Sequence, residues 1–306
     1  MSINAWKRII TLVVILIILG LAAALIVSNL QYKNLEKEFT QAMSNEFIVD
    51  LSEYGNLDAT ELDHLFNYLG NLDANKTLDY QTKHSNLYVD NDFKWENRSG
   101  EKICYLTFDD GPDKENTARI LDILKEYNVK ATFFVIYKDY KEERALYKRI
   151  VDEGHTIGVH TASHNYSKIY ASVDAYLSDF ERISEQIEQC TGVKPEIFRF
   201  PGGSVNTYNA AIYRELIAEM VRRGYTYYDW NVSSGDAAST YVSKKDIVSN
   251  VLNSKTKLSK RIVLMHDGKG HSTTADALPE IIEGLLEQGY KIEALTKEVE
   301  PICFGY

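Results

Sequence analysis

The stretch Ile103-Cys104-Tyr105-Leu106-Thr107-Phe108-Asp109-Asp110-Gly111-Pro112 decides the architecture. Its first six residues form an apolar strand pattern that runs straight into two adjacent carboxylates and a Gly-Pro turn. Neighbouring residues on a strand point to opposite faces, so two aspartates inside a strand cannot share one site. At a strand's end, where Gly111 and Pro112 break the extended path, both can turn toward one pocket. The stretch reads as a buried strand that delivers two carboxylates at its C-terminal end.

Outward from this strand, apolar runs and amphipathic periods alternate. Strands are expected at 103–108, 131–136, 156–159, 197–200, 225–228, 262–265 and 290–294. Helices are expected between them, at 117–127, 143–153, 173–189, 210–223, 245–252 and 278–288. Gly154, Gly192, Gly224 and Gly289 each stand where a helix would stop. About seven βα units suit either a barrel or a doubly wound sheet. The chemistry-bearing segments fall at the C-terminal ends of several different strands, which is how a (β/α) barrel assembles a site from its loops.

A second cluster, His160-Thr161-Ala162-Ser163-His164, places two imidazoles four residues apart, the spacing of one face of a helical turn. One aspartate plus two histidines is a three-ligand set for a zinc-like ion with an open position, and the other aspartate is left free as a base. A metalloprotease helix does not fit, because Thr161 stands where that motif needs a glutamate base. Three more segments fall downstream: Arg199-Phe200-Pro201-Gly202-Gly203-Ser204, Trp230-Asn231-Val232-Ser233-Ser234-Gly235-Asp236, and Ile262-Val263-Leu264-Met265-His266-Asp267.

These five segments, in this order, resemble the polysaccharide deacetylases (the NodB-homology fold, carbohydrate esterase family four) over roughly residues 100 to 297. The resemblance implies an α/β fold, a distorted and incomplete (β/α) barrel, and hydrolysis of acetyl groups from a glycan. It implies that Asp110, His160 and His164 hold one divalent ion, zinc first, with Co2+ and Mn2+ equally suited to nitrogen and oxygen donors. Asp109 then takes a proton from the attacking water, and Arg199 holds that aspartate and keeps it ionised. His266 protonates the leaving sugar amine, and Asp236 tethers it. Gly202 stands where relatives carry a tyrosine whose backbone N–H stabilises the oxyanion, so the donor survives and an aromatic wall is lost. Leu264, on the strand face of His266, lines the acetyl-methyl pocket. Ala237 replaces a tryptophan of many relatives. Both departures predict a more open groove.

At 306 residues and 44% hydrophobic content the chain can hold one large domain and a smaller element. A net charge of −10 argues against a nucleic-acid partner. Lys7 and Arg8 precede an apolar run, Ile9 to Val27, of about the length a spanning helix needs. It reads as a single-pass anchor with residues 1–8 cytoplasmic and the catalytic domain outside. Cleavage near Ala24 in Ala22-Ala23-Ala24 is the alternative. Residues 28–100 read as an extracytoplasmic stem with short helices near 30–43 and 60–72, and 73–100 as a stalk or a wrap over the domain at 101–300. Cys104, Cys190 and Cys303 allow one disulfide at most, with buried thiols preferred. His155 reads as structural, and His64, His84 and His271 as surface residues.

An anchored enzyme reaches polymers near the membrane, so the expected substrate is the N-acetylglucosamine of peptidoglycan, an acetylated cell-wall glycan. N-acetylmuramic acid, chitin-like oligomers, poly-N-acetylglucosamine and acetylated xylan are alternatives. A catalytically inactive glycan-binding wall protein is the reading from another class. Such a copy should have lost at least one of Asp109, Asp110, His160, His164 or His266, and all five are present. No protein partner is legible.

Overall fold

β1 (Ile103–Asp109) is buried along its whole length and has parallel partners on both sides in the computed structural model, which describes residues 78–304. β7 (Lys260–His266) pairs with it from Ile103 opposite Lys260 to Asp109 opposite His266. On the other side β2 (Thr132–Ile136) takes its second half and β8 (Lys291–Glu293) its first. β3 (Thr156–Thr161), β4 (Ile197–Phe198), β5 (Thr226–Tyr227) and β6 (Val232–Ser233) complete a parallel sheet in the order β5-β4-β3-β2-β1-β7-β6. That is the circular order of a (β/α) barrel, but among the described residues no ladder joins β5 to β6. The sheet is a half-barrel, consistent with the distorted barrel expected.

The connections carry α2 (Asn116–Glu126), α3 (Lys141–Asp152), α5 (Val173–Thr191), α6 (Tyr213–Arg222), α7 (Lys244–Leu252) and α8 (Ser272–Glu287). Strand parity sorts the core into two parts. Cys104, Leu106, Phe108, Phe133, Val135, Val159, Phe198, Val263 and Met265 belong to the larger, helix-covered cluster. Ile103, Tyr105, Phe134, Ile197 and Ile262 point inward and meet Tyr228, Leu295, Val299 and Ile302. The C-terminal segment thus fills the barrel interior and reaches the open seam, where the Asp229 N–H donates to the Ile302 carbonyl at 2.8 Å.

Three expectations about the secondary-structure elements change. His160 and His164 do not share a helical turn: His160 lies in β3 and His164 in the loop beyond it. α8 starts at Ser272 rather than 278, because Thr273, Thr274 and Pro279 blur its first turns. β6 and the four-residue α4 (Tyr166–Ile169) are too short to show a period. Gly154, Gly192, Gly224 and Gly289 all take the positive φ expected of helix stops.

Residues 78–100 wrap the domain. After α1 (Asp79–Lys83), Leu87, Val89, Phe93 and Trp95 are buried in the main core. The Val89 N–H donates to the Arg223 carbonyl, and the buried Arg223 guanidinium donates back to the carbonyls of His84, Leu87 and Tyr80. At Gly224 (φ 85°) a Cβ would stand 1.9 Å from the Val89 carbonyl oxygen, so only glycine lets this segment close on α6. His84 is no surface residue: it is buried, with Glu181 at 2.9 Å and Asp174 at 3.3 Å. The three cysteines are free thiols. Among the described residues no helix is long and apolar enough to cross a membrane. The expected anchor at 9–27, the stem helices and His64 lie outside the described residues.

Candidate active site

Asp109 ends β1 on the inward face, two residues after Thr107. Asp110 turns the chain in the left-handed region (φ 72°), which aspartate tolerates, and so brings its carboxylate into the same pocket. Asp110 Oδ1 lies 3.1 Å from His164 Nε2 and 3.5 Å from His160 Nε2. His164 is also left-handed (φ 49°), and its ring sits 5.3 Å from that of His160. Asp179 on α5 holds this loop. It accepts the N–H groups of Ala162 (2.6 Å) and Ser163 (3.0 Å) and the Thr161 hydroxyl.

The donor set fits a metal ion. Asp110 Oδ1 is buried and has no hydrogen-bond partner, although two imidazole nitrogens face it. His160 donates its Nδ1–H to the Arg199 carbonyl at 2.9 Å, which leaves the Nε2 lone pair toward Asp110. Burial pushes His160 down to about 3, so the ring is neutral, as a ligand must be.

Arg199 is fully buried and spends its donors on four acceptors: Asp109 Oδ1 (2.9 Å), Thr107 Oγ1 (2.6 Å), and the carbonyls of Tyr228 (2.8 Å) and Asp229 (3.1 Å). Burial raises the Asp109 carboxyl above its ordinary range, and the Arg199 charge opposes that rise without cancelling it. Asp109 is therefore more basic than an exposed aspartate, with Arg199 opposing the rise as expected of a group that favours its ionised form.

Opposite Asp109 in register stands His266. Its Nδ1 bonds Asp236 Oδ1 at 2.8 Å, and its backbone N–H donates to Asp236 Oδ2 at 2.7 Å. Thr274 on α8 donates to the same oxygen. Burial would lower the imidazole, but the Asp236 bond and charge outweigh it and hold His266 up at about 9. His271, expected on the surface, is half-buried with its ring stacked 5.2 Å from His266. Asp236, His266 and His271 form a second close group of donor atoms. His155 is buried away from the site and accepts the Ala131 N–H, a structural role as expected.

Leu264 pairs with Thr107 and shares the inward face with His266; it is only half-buried, whereas Ile262, Val263 and Met265 are fully buried. Gly202 is exposed with φ 77°, and among the described residues nothing accepts its N–H. The wall expected to be missing there is filled from another segment. A Cβ on Gly202 would stand 2.9 Å from Cε1 of Tyr166, whose ring meets that of His164 edge-on at 5.3 Å. Ala237 is exposed. Asp179, Thr274 and Tyr166 escaped the sequence reading, and His271 was placed on the surface. The Asn165-Tyr166-Ser167 run directly after His164 was the one local signal for Tyr166.

A half-barrel of parallel strands whose C-terminal ends gather an Asp-His-His donor set, a buried carboxylate and a carboxylate-tethered histidine suits a hydrolase. Residues 96–221 match the polysaccharide deacetylase family. The chain is 35% identical over 215 residues to a peptidoglycan-N-acetylglucosamine deacetylase of Bacillus cereus, covering 69% of this chain and 76% of that protein. The fold is similar to the catalytic domain of a peptidoglycan N-acetylglucosamine deacetylase from Eubacterium rectale, with a TM-score of 0.64, 39% identity, and 69% and 94% of the two chains covered. It is also similar to the polysaccharide deacetylase Bc1974 of Bacillus cereus, with a TM-score of 0.60, 35% identity, and 67% and 97% covered. The chain belongs to the polysaccharide deacetylase family of hydrolases.

Proposed function

We propose that this chain removes acetate from N-acetylglucosamine units of peptidoglycan in a metal-dependent hydrolysis. The observation that carries the chemistry is the facing of Asp109 and His266 across the β1–β7 ladder, beside the Asp110-His160-His164 donor set. One divalent ion held by those three residues, with Zn2+ first and Co2+ or Mn2+ as alternatives, supplies polarisation of the acetyl carbonyl and acidification of water. Asp109, held by Arg199, takes the proton of the attacking water as its oxygen adds to the carbonyl carbon. The Gly202 N–H donates to the oxyanion so formed. As the C–N bond breaks, His266 gives its proton to the leaving amine, and Asp236 holds the ring in register for that transfer. Leu264 lines the place of the acetyl methyl group.

The substrate reading is supported by relatives named as peptidoglycan-N-acetylglucosamine deacetylases. The apolar run 9–27 supports a single-pass anchor that keeps the catalytic domain outside and near the wall. The test is mass spectrometry of muropeptides and acetylated oligomers after incubation with the metal-loaded full chain. Deacetylated glucosamine in muropeptides is expected. Brisk activity on xylan or chitin-like oligomers alone would overturn the substrate, and binding without acetate release would favour an inactive glycan-binding protein. For location, the chain should fractionate with membranes and lose its catalytic domain to external protease.

A further inference from the structure

Two hydrogen-bond donors at the mouth of the site have no acceptor among the described residues: the Gly202 N–H and the Tyr166 hydroxyl. They lie side by side, for the Tyr166 oxygen is 3.3 Å from the point where a Cβ on Gly202 would stand. The Tyr166 ring is packed on three sides. It meets His164 edge-on at 5.3 Å, Tyr208 at 5.1 Å and Tyr170 at 6.0 Å. Tyr170 in turn donates its hydroxyl to the Pro201 carbonyl at 2.7 Å, tying this aromatic group to the loop that carries Gly202. The tyrosine ring thus packs against His164 while its hydroxyl lies beside Gly202, whose backbone N–H is assigned to the oxyanion.

We propose that Tyr166 is a further catalytic residue, whose hydroxyl donates a hydrogen bond to the oxyanion of the tetrahedral intermediate alongside the Gly202 N–H. This rests on the deacetylase reading above. The proton stays on the tyrosine throughout, so the residue stabilises charge and transfers nothing. The glycine at 202 follows from the same arrangement, because any side chain there would push the ring out of place. The resemblance places a tyrosine at the position of Gly202 in relatives; here a tyrosine comes from α4 instead.

The test is Tyr166→Phe, which keeps the ring packing and removes only the donor. In the metal-loaded full chain, turnover on N-acetylglucosamine oligomers should fall on the order of 10²-fold with KM, metal content and melting temperature unchanged. Turnover within threefold of wild type, or a raised KM at unchanged turnover, would overturn the proposal. A second measurement does not depend on the substrate. Methylphosphonate, a tetrahedral oxyanion bearing the acetyl methyl, should bind the metal-loaded wild type about tenfold more tightly than Tyr166→Phe, a loss in the range expected for one hydrogen bond to a charged group. Equal affinities would refute the assignment, whereas a phosphonate difference with no turnover on any N-acetylated glycan would sink the deacetylase reading alone.

Discussion

Replacing Arg199 with methionine is the sharpest probe of how the site is held. The guanidinium is fully buried and serves Asp109, Thr107 and two backbone carbonyls, while Asp109 itself is only 3% exposed. Methionine fills similar space with no donor, so it strands a buried carboxylate, and removing one partner of such a pair costs about 3–5 kcal/mol. For a domain of this size that is a drop in Tm of roughly 6–20 °C. The sign of its pH dependence follows from Asp109. Its folded pKa already lies above the ordinary 3.8, and loss of Arg199 raises it further. The unfolded chain gives up this proton near the ordinary value. Stability therefore falls as pH rises from there through the variant's folded pKa, by about 1.4 kcal/mol per pH unit. Urea denaturation should show a smaller deficit near pH 4.5 than near pH 8 (approximate conditions bracketing that window), and adding Asp109→Asn should recover much of it. A deficit equal at both pH values and untouched by Asp109→Asn would place the cost on the orphaned carbonyls of Tyr228 and Asp229. The reasoning about the carboxylate would then be wrong.

The other expectations bear on roles within the site. Asp109→Asn, and separately His266→Ala, should retain metal yet lose turnover by about two to four powers of ten, read by acetate release beside metal analysis. His164→Ala should lose both ion and activity, and chelation of the wild type should abolish acetate release until Zn2+, Co2+ or Mn2+ is restored. Asp236→Asn should move the basic limb of the rate profile down from near 9, because the carboxylate is what holds His266 protonated against burial. The raised pKa also stabilises the fold, fully below the unfolded value near 6.5 and progressively less as pH rises through about 9. The Asp236→Asn deficit should shrink accordingly toward high pH.

The sheet was legible because β1, β2 and β7 are largely apolar runs followed by charged residues. Period reading fails at the two-residue β6, whereas the equally short β4 and β5 lie inside the strands expected at 197–200 and 225–228. The Asp109-Asp110 pair was legible from the parity of a strand, although the turn that unites them is made by Asp110 itself rather than by Gly111. The spacing of His160 and His164 misled, since four residues bring side chains together on a helix and also across a tight left-handed turn after a strand. Asp179 and Thr274 could not be found from spacing, because α5 and α8 bring them to the site from outside the motifs. Gly202 shows the limit most clearly. A glycine where relatives carry tyrosine implies a lost wall only if the wall must come from the same segment. Sequence order constrains which residues neighbour one another along a strand, but it says nothing of which ring occupies a vacated volume. Here the vacancy at 202 and the ring at 166 define one another: the glycine is tolerated because the tyrosine is present, and the tyrosine fits because the glycine has no Cβ. Either residue read alone points to a different groove from the one the pair encloses.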